Sequence, residues 1–116
     1  MDTEKLYDLS FINQVTKGNA ALQEKLCRTF IISASEGIAE LEAANHTGNI
    51  ESIHRAAHKL KSTIEAMNVR EAGTLVKLIE KSARLQVNTE EIPSMVERAG
   101  IIIRDTITQL QNDLQL

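Results

Sequence analysis

From Leu22 onward, apolar residues recur at steps of three and four along nearly the whole chain. Leu22, Leu26, Phe30, Ala34, Ile38 and Leu41 form one such series. Ile50, Ile53, Ala57, Leu60, Ile64 and Met67 form a second. Ala72, Leu75, Val76, Ile79 and Ala83 mark a third, and Ile92, Val96, Ala99, Ile103, Ile107, Leu110 and Leu114 a fourth. That spacing puts each series on one face of a helix. The chain has one proline and five glycines, so regular structure has few forced stops, which argues against a many-turned β-fold. With no Trp and 3% aromatic residues, the core must come from Leu, Ile, Val and Ala, which suits packed helices.

The breaks between the series are chemically distinct. Asp8 or Ser10 can cap a short first helix that ends at Gly18. Asn19 caps the next helix, which runs to about Ala44, where "NHTGN" stops it. Asn49 caps the third segment, and "NVREAG" loosens the chain near Asn68. In "QVNTEEIP", Thr89 is a cap with Glu91 and Pro93 close behind, opening the last helix. Four long helices of about 17 to 26 residues, each about 25 to 40 Å, with short connections bury their stripes best as an antiparallel bundle. The expected fold is all-α, an antiparallel four-helix bundle with a short additional N-terminal helix. The 116 residues suit one domain, 1–116.

Charge and cysteine content narrow the function classes. A formal net charge of −3 gives no generally basic surface for nucleic acid. Cys27 stands alone and forms no internal disulfide, so a reducing compartment is allowed. It reads as a small buried core residue. The opening "MDTEKLYDLS" is acidic and lacks the apolar run of a signal peptide. "III" at 101–103 is the longest strong apolar run, too short to span a bilayer. A soluble cytoplasmic protein is the simplest expectation, with a domain of a longer chain as the equal alternative.

The chemistry concentrates in "AHKLKST", Ala57 to Thr63. On a helix, the apolar residues from Ile50 to Met67 fill a sector of roughly 100°, and His58 lies roughly 130° from its middle. His58 is therefore expected on the solvent side. His54, Arg55, Lys61 and Ser62 lie three or four residues away, within side-chain reach, and Glu65 borders the same face. Between Glu51 and Arg70, four basic residues (Arg55, Lys59, Lys61, Arg70) face two acidic ones (Glu51, Glu65), a local +2 on a chain of −3. An exposed imidazole in such a patch suits an arriving anion, and Lys61 can contact an anion held at the ring nitrogen. Nearby cations also favour the neutral, nucleophilic imidazole. An ordinary surface histidine on a solvated charged face has the same pattern. His54 and His58 form H-x-x-x-H, a spacing that can hold zinc, but no third ligand is near in sequence. No metal site is expected. His46, at a helix end, reads as a favourable C-terminal charge.

"AHKLKST", preceded by "IESIHRA" and followed by "IEAMNVREAGTLVKLIEKSAR", resembles the histidine-containing phosphotransfer (HPt) domain of multistep two-component signalling. The family pattern is His-x-x-Lys-Gly on the second long helix of an antiparallel four-helix bundle. His58 matches the phosphorylated histidine, Leu60 its aliphatic neighbour and Lys61 the lysine that steadies the phosphoryl group. "LYDLSFINQVTKGN" looks like the family's short N-terminal helix, and "LVKLIEKSAR" like its third helix, with Glu80 at the usual acidic place. Ser62 departs from the pattern, standing where the family commonly has glycine; it is still small enough to leave the histidine open.

The resemblance implies a phosphocarrier. His58 would take a phosphoryl group from a receiver-domain phosphoaspartate and pass it to a second receiver's aspartate. His54, Arg55, Lys59, Ser62 and Glu65 would border the docking surface. Mg²⁺ is expected on the receiver, with no cofactor on this chain. Receiver (response-regulator) domains and a hybrid histidine kinase are the expected partners, with a monomer, no nucleic acid and no membrane. No Gly-rich nucleotide loop is present, so ATP-dependent kinase activity is not expected. The competing reading is a helical interaction module that binds a partner without chemistry; a buried His58 would favour it.

Overall fold

In a computed structural model, residues 5–116 are described. They form the short helix α1 (Ser10–Thr16) and four long ones, α2 (Ala20–Thr47), α3 (Ile50–Ala66), α4 (Arg70–Leu85) and α5 (Ile92–Leu114). The all-helical expectation holds, with four long packed helices and a short N-terminal one.

Two of the expected caps take the expected geometry. Asn19 Oδ1 accepts the Leu22 amide at 3.0 Å, and Asn49 Oδ1 accepts the Ser52 amide at 3.0 Å. Each satisfies an amide that has no partner within its helix. At the start of α1 neither Asp8 nor Ser10 is the cap: Leu9 holds that position without a side-chain bond, while Asp8 Oδ1 accepts the Ser10 amide at 2.7 Å. Helix α2 runs one turn past the expected stop at Ala44. It ends at Gly48, whose φ of 72° is left-handed and whose amide returns to the Ala44 and Asn45 carbonyls. His46 lies in that last turn.

Thr89 is not the cap of α5. Asn88 is left-handed, residues Thr89–Glu91 make a 3₁₀ turn, and α5 opens at Ile92 with Pro93 in its first turn and no side-chain cap. The 3₁₀ turn places Thr89 a full turn upstream of the helix it was expected to start. Proline fits here because first-turn amides lack intrahelical partners.

Short connections make the long helices neighbours. α3 packs against α2 and α4, and α5 packs against the same two, which sets α3 and α5 on opposite corners of the bundle. The centre is filled by Ile38, Leu41, Leu60, Ile64, Ile79, Ile103 and Leu110, each at most 1% exposed. Burying one such side chain contributes about 1.5–3 kcal/mol. Cys27 is buried as expected, whereas Leu22, in the first turn of α2, is 40% exposed and outside the core. Ile50, Leu75 and Leu114 sit at the core edge, only partly buried. The buried hydroxyls of Thr16 and Thr106 donate to carbonyls one turn back at 2.8 and 2.7 Å, so neither is left unpaired.

Two features shape the corner nearest His58. Gly37 lets α2 approach α3 closely: a Cβ there would meet Leu60 Cδ1 at 2.6 Å. Leu60 is 1% exposed, so the residue two positions from His58 anchors α3 in the core. Among the described residues, no helix is long and apolar enough to cross a membrane.

Candidate functional site

His58 is the ninth of the 17 residues of α3, and its side chain is 65% exposed. The apolar stripe of α3 (Ile53, Ala56, Ala57, Leu60, Ile64) faces inward, so the helical turn carries His58 outward. A buried histidine, which would have favoured the bland interaction module, is not what the fold contains.

The ring does not stand alone. Its Nδ1 lies 3.7 Å from Glu80 Oε2 on α4. Lys61 Nζ lies 3.2 Å from the same oxygen. His54 Nε2 is 3.8 Å from Glu80 Oε1, and Arg84 Nε is 3.9 Å from it. The His54 and His58 ring centroids are 6.1 Å apart. Glu80 is the hub: its side chain is only 13% exposed, whereas His58 is largely in solvent. Burial works to raise the Glu80 carboxyl, but the Lys61 ammonium, with His58 and His54 behind it, holds it below the usual carboxylate range. Glu80 is thus an anion at neutral pH, set beneath an exposed imidazole.

That arrangement changes the electrostatic picture drawn from charge spacing. The patch around His58 is rich in basic residues, yet the group its ring faces is a carboxylate. Lys61 is tied to that carboxylate and only 31% exposed, one helical turn from the ring. Lys59 leans the other way, 3.6 Å from Glu40 Oε1 on α2, and is not merely solvated. Glu65 is 3.3 Å from Lys77 Nζ on α4. Arg55 is exposed, and among the described residues it has no ion pair. Ser62 is exposed, and its Oγ donates to the Lys59 carbonyl at 3.4 Å. A small cleft of about 120 Å³ between α2 and α3 is lined by Ser33, Glu36, Gly37, Glu40, Lys59, Leu60 and Thr63.

All the residues singled out on α3 therefore sit along its outer side. His54 and Lys61 lean toward α4, Lys59 toward α2, and His58 and Ser62 are exposed. Sequence reasoning placed Glu80 only by family likeness and did not single out Arg84 or Glu40. The i,i+4 spacing of Glu80 and Arg84 was readable, but their approach to α3 depends on how two helices are rotated against each other. Among the described residues, no three His, Cys, Asp or Glu side chains converge to hold a metal ion.

Chemically, the cluster offers an accessible ring nitrogen. Nε2 lies across the ring from Nδ1 and so points away from Glu80. A carboxylate beside Nδ1 favours a proton there, which leaves the Nε2 lone pair free to attack.

Comparison with known proteins adds three findings. The Hpt domain family model matches residues 25–113. No curated protein matches the chain. Among solved structures, the crystal structure of histidine-containing phosphotransfer protein B (HptB) from Pseudomonas aeruginosa PAO1 is similar, with a TM-score of 0.84 over 97% of each chain. Sequence identity to it is 18%, so the likeness is one of fold.

Proposed function

The chain belongs to the Hpt domain family, and from that membership we propose that His58 is the residue that carries its phosphoryl group. Such a domain transfers phosphoryl groups within a phosphorelay and is not a kinase. The observation that carries the residue assignment is an exposed imidazole whose Nδ1 faces an anchored carboxylate.

In the forward step, His58 Nε2 attacks the phosphorus of a receiver-domain phosphoaspartate. The N–P bond forms, the acyl P–O bond breaks, and the aspartate leaves as a carboxylate. The ring keeps its Nδ1 proton and becomes cationic, and Glu80 offsets that charge at close range. Lys61, one turn along, is placed to steady the phosphoryl oxygens. The acyl phosphate is already reactive, so the protein supplies position and charge and needs no activating triad. Reversal of the same step hands the group to the aspartate of a second receiver. The Mg²⁺ that phosphoryl transfer calls for belongs to the receiver.

His54, Arg55, Lys59, Ser62 and Glu65 border His58 on the receiver-facing surface in this reading. The whole chain, 1–116, acts as one Hpt-like domain, a cytoplasmic monomer working between receiver domains and a hybrid histidine kinase.

The test is incubation with a phosphorylated receiver domain and Mg²⁺. Label should appear on this protein as acid-labile, base-stable phosphate, and His58→Gln should abolish it with the fold intact. The substitution is at the surface, where stability changes by roughly 0.5 kcal/mol or less. Label retained on His58→Gln would move the acceptor elsewhere, with His54 the first suspect. No label on the unaltered protein with any receiver would leave the interaction-module reading in its place.

A further inference from the structure

Glu80 uses its two carboxylate oxygens for different partners. Oε2 faces His58 Nδ1 and Lys61 Nζ at 3.7 and 3.2 Å. Oε1 faces His54 Nε2 and Arg84 Nε at 3.8 and 3.9 Å. We propose that His54 and Arg84 are positioning residues for phosphoryl transfer, holding Oε1 so that Oε2 is aimed at the His58 ring. The proposal rests on the reading of His58 as acceptor.

The physical reason lies in the carboxylate's torsion. The last rotation of a glutamate side chain is broad and roughly two-fold, so a carboxylate held at one oxygen alone can swing. Lys61 alone would hold Oε2 and would pull it toward its own ammonium, one turn from His58. An imidazole nitrogen from α3 and a guanidinium from α4 itself, both facing Oε1, fix the second oxygen and so set the plane of the group. His54 lies one turn before His58 and Lys61 about one turn after it, so Glu80 is gripped from both sides of the ring it serves. Arg84, one turn along α4, comes from a third direction. Misplacing a reacting group by about 1 Å can slow a reaction about a hundredfold.

The test uses phosphoramidate, a small phosphoryl donor that needs no receiver, so docking plays no part. His58 Nε2 forms the N–P bond, the donor's P–N bond breaks, and ammonia leaves. Two quantities are read: the rate of His58 phosphorylation, and the tautomer of the His58 ring from the ¹⁵N shifts of its two nitrogens. In the unaltered protein the Nδ1–H tautomer should dominate. His54→Ala and Arg84→Ala should each slow phosphorylation about twofold to fivefold, the scale of a partly exposed ion pair. Each should also move the ring toward a mixture of tautomers. His54→Gln and Arg84→Lys, which keep a donor for Oε1, should restore both quantities most of the way. Arg84 is the more exposed of the two at 54%, so Arg84→Ala stands as the second variant should His54→Ala lose its fold.

Folded alanine variants that match the unaltered protein in rate and tautomer would overturn the proposal. So would slower transfer with an unchanged tautomer, since the effect would then not pass through the ring's orientation. Phosphate found on a residue other than His58 in the unaltered protein would overturn the acceptor assignment instead, which keeps the two failures apart.

Discussion

Lys61 and His58 share one oxygen atom: Glu80 Oε2 lies 3.2 Å from the lysine ammonium and 3.7 Å from His58 Nδ1. The cation proposed to meet the phosphoryl group and the ring proposed to carry it are thus coupled through a carboxylate on the neighbouring helix. Removing any of the three disturbs the other two, but in different ways.

Glu80→Gln keeps the shape and removes the charge. Phosphorylation of His58 should slow, because the cationic ring loses its counter-charge. The pH dependence of stability has a definite sign. Glu80 is held below the usual carboxylate range in the folded chain, so its contribution is present above the unfolded carboxyl value and is lost as pH falls through the folded one. Urea unfolding should therefore show the unaltered protein ahead of Glu80→Gln at pH 7, with the gap closing as the solution is acidified below the ordinary carboxylate range. A gap that stays constant to acid pH would mean that the charge of Glu80 contributes nothing to the fold.

Lys61→Ala should slow transfer without ending it. The imidazole still makes the bond, while the cation beside the phosphoryl oxygens is gone. An effect of about tenfold, near 1.4 kcal/mol, is expected for a partly exposed electrostatic contact. Stopped-flow transfer from a phosphorylated receiver, at low and physiological salt, measures it. Unchanged rates at both salts would reduce Lys61 to a structural partner of Glu80.

Ser62 tests the direction of approach. Its hydroxyl is turned back to the Lys59 carbonyl, so little of it rises above the helix. Ser62→Gly should keep transfer and lose roughly 0.5 kcal/mol of helix stability. Ser62→Leu should fold, because leucine favours helix, but should hold a receiver away and block transfer. Rapid phosphorylation of folded Ser62→Leu by a receiver would show that the partner comes from another side.

Gly37→Ala should destabilise the protein in spite of alanine's better helix propensity. The new methyl would sit 2.6 Å from Leu60 Cδ1, and Leu60 is 1% exposed and anchored in the core. Overpacking of this kind costs about 1–3 kcal/mol, against a propensity gain of about 1 kcal/mol. Gly100→Ala is the contrast. Its methyl would meet Glu42 Oε2 and an Arg104 guanidinium nitrogen at 2.8 and 3.1 Å, ends of exposed side chains that can move aside. Thermal unfolding should rank Gly37→Ala as the less stable of the two; the reverse order would mean that Leu60 yields more easily than the surface pair.

Local chemistry was legible in the sequence, and the contacts between helices were not. Asn19 and Asn49 could be read as caps because a cap acts within three residues of itself. The outward turn of His58 followed from its angle to Ile53, Leu60 and Ile64 on one helix. Thr89 misled because Asn88 takes a left-handed conformation and a 3₁₀ turn intervenes, neither of which apolar spacing reports. Leu22 fits the spacing of α2 but lies in its first turn, where the stripe has begun and exposure is still 40%. Glu80 needed the likeness to a family, since nothing in the spacing of α4 says which helix its carboxylate will meet. The same holds for Glu40 with Lys59 and for Glu42 with Arg104, pairs whose geometry is set by helix rotation.

The first and last described segments meet in space. Tyr7 Oη donates to Asp113 Oδ2 at 2.6 Å, the Leu6 amide donates to Gln109 Oε1 at 2.7 Å, and Lys5 lies 3.7 Å from Asp113. All three contacts are on α5, the helix diagonally opposite α3. Lys5, Leu6 and Tyr7 thus lie against the helix diagonally opposite the one that carries His58. A bead or sensor chip coupled through the C-terminal end of α5 should present His58 to the solution, so captured receivers could be timed on and off without the support shielding the imidazole.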